Sequence, residues 1–242
     1  MERMSSEPTA VFTPPSRVRG TLALVAGRDE TAAVYRRFGS RISADGYAVG
    51  VFGTADAAST WLATQDDAPR VLVGSDTGAS AVLTALTHGD VADAAIVAGV
   101  VVDAERTPTD AERTACPVHL GVLAEQHGDA STGSATNDDW VPEPVEGLPA
   151  PADLAAIAVP VLAVHGGADP VSPFEQASGA LSSIPDLEVV ETVGGLHDAL
   201  NDASHRSVAA SIVLWLERLR AGDVHEPVIR RAVPAREQGA AA

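Results

Sequence analysis

Residues able to do chemistry stand at three places in this chain. The first is Asp76, in the run Val71-Leu72-Val73-Gly74-Ser75-Asp76-Thr77-Gly78-Ala79. Glycines lie two before and two after it, between an apolar run and a helix-forming stretch. That is the frame of a nucleophile elbow, a sharp strand-to-helix turn that displays one reactive side chain. Side chains at the glycine positions would collide as the chain turns back on itself. The second place is His165-Gly166-Gly167-Ala168-Asp169-Pro170, straight after an apolar run. The third is Gly194-Gly195-Leu196-His197-Asp198, after another.

A carboxylate is ionised at neutral pH and attacks saturated carbon without help from a base. Displacing a halide or opening an epoxide in this way leaves an alkyl ester. A histidine can then hydrolyse that ester by activating water. Attack by a carboxylate on an ordinary ester would instead give a mixed anhydride, more reactive than the substrate. Asp76 therefore suits chemistry at saturated carbon. Plainer readings stand beside these. Asp76 could be a degenerate elbow held by an Asx-type bond to the backbone. Asp169 could be a turn residue before Pro170, and His197 a surface loop histidine. His165 reads as structural and Arg28 as a solvated turn charge. Cys116 and His119 could suggest a thiol pair, yet no elbow supports them and their segment reads as weakly structured.

The elements that must position these residues follow from the apolar pattern. Thr21 to Ala26, Tyr47 to Phe52, Arg70 to Val73, Ala94 to Val102, Pro160 to His165 and Leu187 to Val193 read as strands. Between them, helices are expected from Val34 to Ile42, Ala57 to Gln65, Gly78 to His88, Phe174 to Leu181 and Ala203 to Leu219. Ala10 to Phe12 suits a short edge strand. This alternation implies a doubly wound, mostly parallel sheet with helices on both faces. Residues following the strands then converge at the carboxyl edge, where sites form. The alternation breaks over 103–158, which holds one expected helix, Ala111 to Gln126, and a polar loop, Gly128 to Asp139. Residues 1–18 and 221–242 read as flexible ends around a single domain, 19–220.

Composition narrows the function. The net charge is −17, and the 16 basic residues are all arginine. So acidic a chain is unsuited to nucleic acid or to an anionic membrane surface. The 103–158 segment carries eleven acidic and two basic residues, more than half of that net charge. Such a surface favours neutral or cationic substrates by repelling anions. One cysteine excludes an internal disulfide and fits a reducing compartment, so a cytoplasmic location is expected. No apolar run approaches the roughly 20 residues that span a bilayer.

With these residues in place, the chain resembles the α/β-hydrolase superfamily, in particular its lysophospholipase-like and monoglyceride-lipase-like members. Pro160 to Asp169 is similar to the family's strand-then-acid segment, and Gly194 to Asn201 to its histidine loop. The resemblance implies a hydrolase fold short of most N-terminal antiparallel strands. It also implies a triad of Asp76, His197 and Asp169. The backbone amides of Arg28 and Thr77 would form an oxyanion hole, and 103–158 would be a lid. Gly27, Ser75 and Trp140 are candidates for the substrate pocket. Aspartate in place of the lipases' serine resembles haloalkane dehalogenases, haloacetate dehalogenases and epoxide hydrolases. Thr77 stands where dehalogenases carry a halide-holding tryptophan, and neither tyrosine, Tyr35 nor Tyr47, lies in the lid. The leading expectation is a hydrolase of a small neutral organic molecule, with Asp76 as nucleophile or water-orienting carboxylate, no cofactor and no metal. An esterase-like or lysophospholipase-like hydrolase with a non-nucleophilic Asp76 is one alternative. A non-catalytic binding protein of the same fold is another.

Overall fold

A computed structural model of the chain describes residues 7–89, 92–132 and 146–230. Seven strands form one sheet: β1 (Ala10–Phe12), β2 (Thr21–Val25), β3 (Ala48–Phe52), β4 (Arg70–Ser75), β5 (Ala94–Ala98), β6 (Val161–Gly166) and β7 (Leu187–Thr192). Their spatial order is β1-β3-β2-β4-β5-β6-β7. β1 is antiparallel to β3, and all the other pairs are parallel. The edge strand read from Ala10 to Phe12 is thus present. The helices are α1 (Arg36–Ala44), α2 (Ala55–Leu62), α3 (Thr77–Thr87), α4 (Asp110–Arg113), α5 (Pro117–Thr132), α6 (Pro151–Leu154), α7 (Phe174–Leu181) and α8 (His205–Ala221). A 3₁₀ turn, Ala32–Tyr35, leads into α1.

Alternate residues of each strand feed two cores. Leu22, Leu24, Val71, Val73 and Ile96 face α1 and α8, where Phe38, Ile42, Ile212 and Trp215 are buried. Ala23, Val25, Leu72 and Val97 face α2 and α3, where Ala58, Leu62, Val82 and Leu83 are buried. All residues of β2, β5 and β6 are buried, as expected of parallel strands covered on both faces. The core beside α8 also takes in Val224, so the chain just past that helix is packed down.

Two expectations for 103–158 need correction. The single helix expected from Ala111 to Gln126 is two helices, α4 and α5. Thr114 breaks them with extended backbone, φ −154° and ψ 145°. Pro117, which lacks an N–H, opens α5, where that donor is not needed. The loop expected from Gly128 begins as helix, because α5 continues to Thr132. An established helix extends at little cost through residues that would not start one. The rest of that loop, with Trp140, lies outside the described residues, as do 1–6 and 231–242.

The elbow is the tightest local feature. Asp76 has φ 51° and ψ −122°, between the end of β4 and the start of α3. A Cβ on Gly74 would sit 2.4 Å from the Gly78 carbonyl oxygen, and one on Gly78 would sit 2.5 Å from the carbonyl oxygens of Val25 and Ala26. All of these obstacles are backbone, which cannot swing aside. Gly78→Ala is therefore expected to cost about 1–3 kcal/mol of stability through overpacking. Urea denaturation measures this, and an unchanged midpoint would mean that the turn does not need the glycine.

Candidate active site

The register brings three loops together. Gly74 in β4 pairs with Val25 of β2 and Val97 of β5, and Ala98 of β5 pairs with Val164 of β6. Residues just past these positions therefore leave the sheet at one level. Asp76 follows β4, Asp169 follows β6, and His197 follows β7. The Asp76 backbone N–H donates to the Ala98 carbonyl at 3.0 Å, which fixes the elbow to the next strand.

His197 lies between the two carboxylates. Its Nε2 is 3.2 Å from Asp76 Oδ1, and its Nδ1 is 2.8 Å from Asp169 Oδ2. The other Asp76 oxygen, Oδ2, accepts from the Arg28 backbone N–H at 2.8 Å. Asp169 Oδ1 accepts from the backbone N–H groups of Val171 (2.7 Å) and Ser172 (3.1 Å). His165 Nε2 lies 3.0 Å from Asp169 Oδ2 and 2.6 Å from the Ser172 carbonyl oxygen. His165 thus has the structural place expected of it. Thr77 is the first residue of α3, so its amide belongs to the helix's open N-terminal donors. Asp76, His197 and Asp169 are 1%, 0% and 4% exposed.

Burial and bonding set the charges. Burial by itself would lower the His197 pKa, but bonds to Asp169 and Asp76 outweigh it and push the group up to about 10. Burial would raise Asp169; bonds from His165 and His197 hold it well below the usual carboxylate range. Asp76 is also held low, since its bond to His197 prevails over its desolvation. The free protein thus carries an imidazolium between two carboxylates at neutral pH.

A second buried cluster adjoins the first and contains residues that sequence reasoning missed. The Arg113 guanidinium lies 2.5 Å from Glu30 Oε1 and 3.2 Å from Asp198 Oδ2. His119 Nε2 is 2.7 Å from the same Asp198 oxygen. Glu30 also takes bonds from the Tyr35 hydroxyl and, at 3.1 Å, from the Gly27 backbone N–H. Ser75 bonds to Tyr35, so both expected pocket residues, Gly27 and Ser75, serve the Glu30–Tyr35 network. A Cβ on Gly27 would sit 2.8 Å from Asp76 Cβ, so the glycine admits the elbow. Glu30, His119 and Asp198 cluster tightly enough to hold a cation. Arg113 already bonds both carboxylates.

Two expectations are corrected here. Arg28 is not a solvated turn charge; it is 8% exposed, and its Nη1 donates to the Arg106 carbonyl at 2.7 Å. His119 is not in a weak segment but buried on α5 against Asp198. Cys116, for which no thiol pair was expected, is buried beside Arg37, whose Nη1 lies 3.3 Å from its Sγ. Asp198, next to His197, was the one available signal of this cluster. Trp140 is not among the described residues.

No family model matches the chain, and no curated protein matches it. Solved structures do. The esterase domain of a Rhodothermus marinus protein is 16% identical, with 86% of this chain and 91% of that one covered at a TM-score of 0.59. A soluble variant of monoglyceride lipase from Saccharomyces cerevisiae is 12% identical, with 86% and 90% covered at 0.63. MenH from S. aureus is 14% identical, with 88% and 98% covered at 0.64. At such identities the likeness is one of architecture. Together with the sheet order, it establishes that this chain has the α/β-hydrolase fold.

Proposed function

We propose that the chain is a hydrolase in which Asp76 attacks a saturated carbon, His197 activates water, and Asp169 orients His197. The observation that carries this reading is the two-sided placement of the Asp76 carboxylate. Oδ1 faces His197 Nε2, and Oδ2 is held by the Arg28 amide. Asp76 is thus both amide-bound and turned to His197, the arrangement that a retained turn aspartate would not need.

The steps follow from those contacts. Oδ1 attacks the carbon, the bond to the leaving group breaks, and an alkyl ester forms on Asp76. Water then adds to Cγ as His197 takes its proton. Negative charge develops on Oδ2, where the Arg28 amide already donates and the Thr77 amide is at hand. Collapse expels the alkoxide, which takes the proton from His197 and leaves as the alcohol, and the acid on Asp76 gives its proton to water to restore the carboxylate. Forming the ester also removes the charge of Asp76, one of the two carboxylates that raise His197. Its pKa then falls, so the first step prepares the base for the second. Attack on a carboxylic ester would give a mixed anhydride instead, which is why the lysophospholipase-like reading ranks second. The 103–158 segment, whose Arg113 reaches Glu30 and Asp198, would act as the lid.

The charge state has a consequence for stability. His197 has a folded pKa above its unfolded value of 6.5, so its stabilisation is complete below pH 6.5 and is lost as pH rises toward about 10. The two carboxylates act oppositely: theirs is complete above their unfolded value of 3.8 and is lost as pH falls. The parent is therefore expected to lose more thermal stability between pH 6.5 and 10 than His197→Asn does. Parallel alkaline limbs in melts of the two proteins would refute the buried cation.

Mechanism is tested by trapping. In His197→Gln, attack by Asp76 continues but ester hydrolysis stops. Screening haloalkanes, haloacids, epoxides and esters with this variant is expected to yield an intact-mass adduct on the peptide containing Asp76. A substrate that turns over without leaving an adduct would favour direct water activation.

A gain of function separates an assembled site from a degenerate one. Asp76→Ser restores a hydroxyl within the same glycine frame, near His197. Hydrolysis of p-nitrophenyl acetate is expected to rise by about tenfold or more over the parent, and His197→Ala in that background is expected to remove the gain. Folded Asp76→Ser with only parental activity would favour the non-catalytic binding protein.

A further inference from the structure

The Arg28 side chain is not used by the steps above. Its backbone amide touches Asp76, but its guanidinium runs elsewhere. Nη1 donates to the Arg106 carbonyl oxygen at 2.7 Å. Arg28 follows β2, Arg106 follows β5, and β4 lies between these strands in the sheet. The side chain therefore joins the loops on either side of the elbow. Arg106 continues the line by donating to the Pro170 carbonyl, next to Asp169. The guanidinium is thus tied to the loop after β5 and, through Arg106, to the loop that carries Asp169.

Only one of its three nitrogens is satisfied. Nε and Nη2 are buried with no hydrogen-bond partner among the described residues, in a residue 8% exposed. A buried cation with open donors is costly, because its water has been removed and nothing replaces it. Arg113, the other buried arginine nearby, has Glu30 and Asp198 on its guanidinium. Among the described residues, no carboxylate bonds the Arg28 guanidinium. The open pair is also chemically specific. Nε–H and one Nη2–H point the same way from the planar group and match the two oxygens of a carboxylate. The nitrogen already used, Nη1, is the one outside that edge.

We infer that the Nε/Nη2 edge of Arg28, the residue whose backbone amide holds Asp76, is a subsite for the carboxylate of an anionic organic substrate. This rests on the reading of Asp76 as the reacting group and sharpens its substrate class. It also departs from the neutral substrate implied by the acidic 103–158 surface. Exposed charges are screened beyond roughly 8 Å at physiological salt, whereas a buried guanidinium in contact with its ligand is not. The local cation should therefore decide what is bound, and the surface charge should only slow its arrival.

The test measures binding, not turnover. Acetate is the probe, being small enough to enter any carboxylate subsite, and acetamide is its neutral counterpart. Both are titrated at constant ionic strength into ¹⁵N-labelled protein while the Arg28 Nε–H resonance is followed. Acetate is expected to shift that resonance saturably, and acetamide is expected to leave it unmoved. Arg28→Lys keeps the charge but loses the fork, and Arg28→Gln loses both while keeping the amide to Asp76. Acetate affinity, read from the shifts of neighbouring amides, is expected to fall by about tenfold or more in each variant. An Arg28 resonance that responds equally to acetate and acetamide, or fails to saturate with acetate, overturns the subsite. So does parental acetate affinity in folded Arg28→Gln. Acetate binding retained in His197→Gln that forms no covalent adduct would uphold the subsite while removing the nucleophile reading. Adduct formation without acetate binding would do the reverse.

Discussion

The guanidinium of Arg113, buried between Glu30 and Asp198, ties together the carboxyl edge of this sheet. It joins the loop after β2, the segment between β5 and β6, and the loop that carries His197. Burial pushes Glu30 up to about 7, with Arg113 pulling the other way. Without the guanidinium, two carboxylates would face each other out of reach of water. Removing one partner of such an arrangement typically costs about 3–5 kcal/mol, since it leaves uncompensated buried charge. Neighbouring bonds reinforce the join. Asp202 accepts from Thr114 Oγ1, the Ala115 amide and the Leu196 amide at 2.8–2.9 Å, and the Asp198 amide donates to the Arg113 carbonyl at 2.9 Å.

On that frame the candidate site combines backbone strain with buried charge. Asp76 keeps φ 51° although it carries a Cβ, because the surroundings over-determine its position. Gly74 and Gly78 let backbone pass at contact distance, and Gly27 does the same beside the Asp76 Cβ. The imidazolium between Asp76 and Asp169 offsets charges that burial alone would expel. The arrangement suits a carboxylate nucleophile. One oxygen is held on the Arg28 amide while the other faces His197, as the proposed attack requires.

Much of this was legible in the residues. Apolar runs of strand length, separated by helical periodicity, fixed a mostly parallel sheet, because such strands must be covered on both faces. The glycines around Asp76 marked the elbow, since only a turn too tight for Cβ atoms needs both. Asp169 and His197 were identifiable because each follows a buried strand, and strand ends in a parallel sheet meet at one edge. Helix limits within 103–158 were not legible. There the apolar pattern is weak, and Thr114, with nothing unusual in its type, breaks the run.

Sequence alone determined the order of elements and the identity of the three candidate catalytic groups, because periodicity and turn sterics act between near neighbours. Tertiary structure alone decided which charges are buried and what faces them. Arg28 and His119 read as a solvated charge and a member of a weak segment, yet both are buried. Partners such as Arg113 and Asp198 lie 85 residues apart, so no local pattern announces their pairing. The free energy of an ionised group depends on water and on opposite charge within a few ångströms. Those distances exist only once the chain has folded.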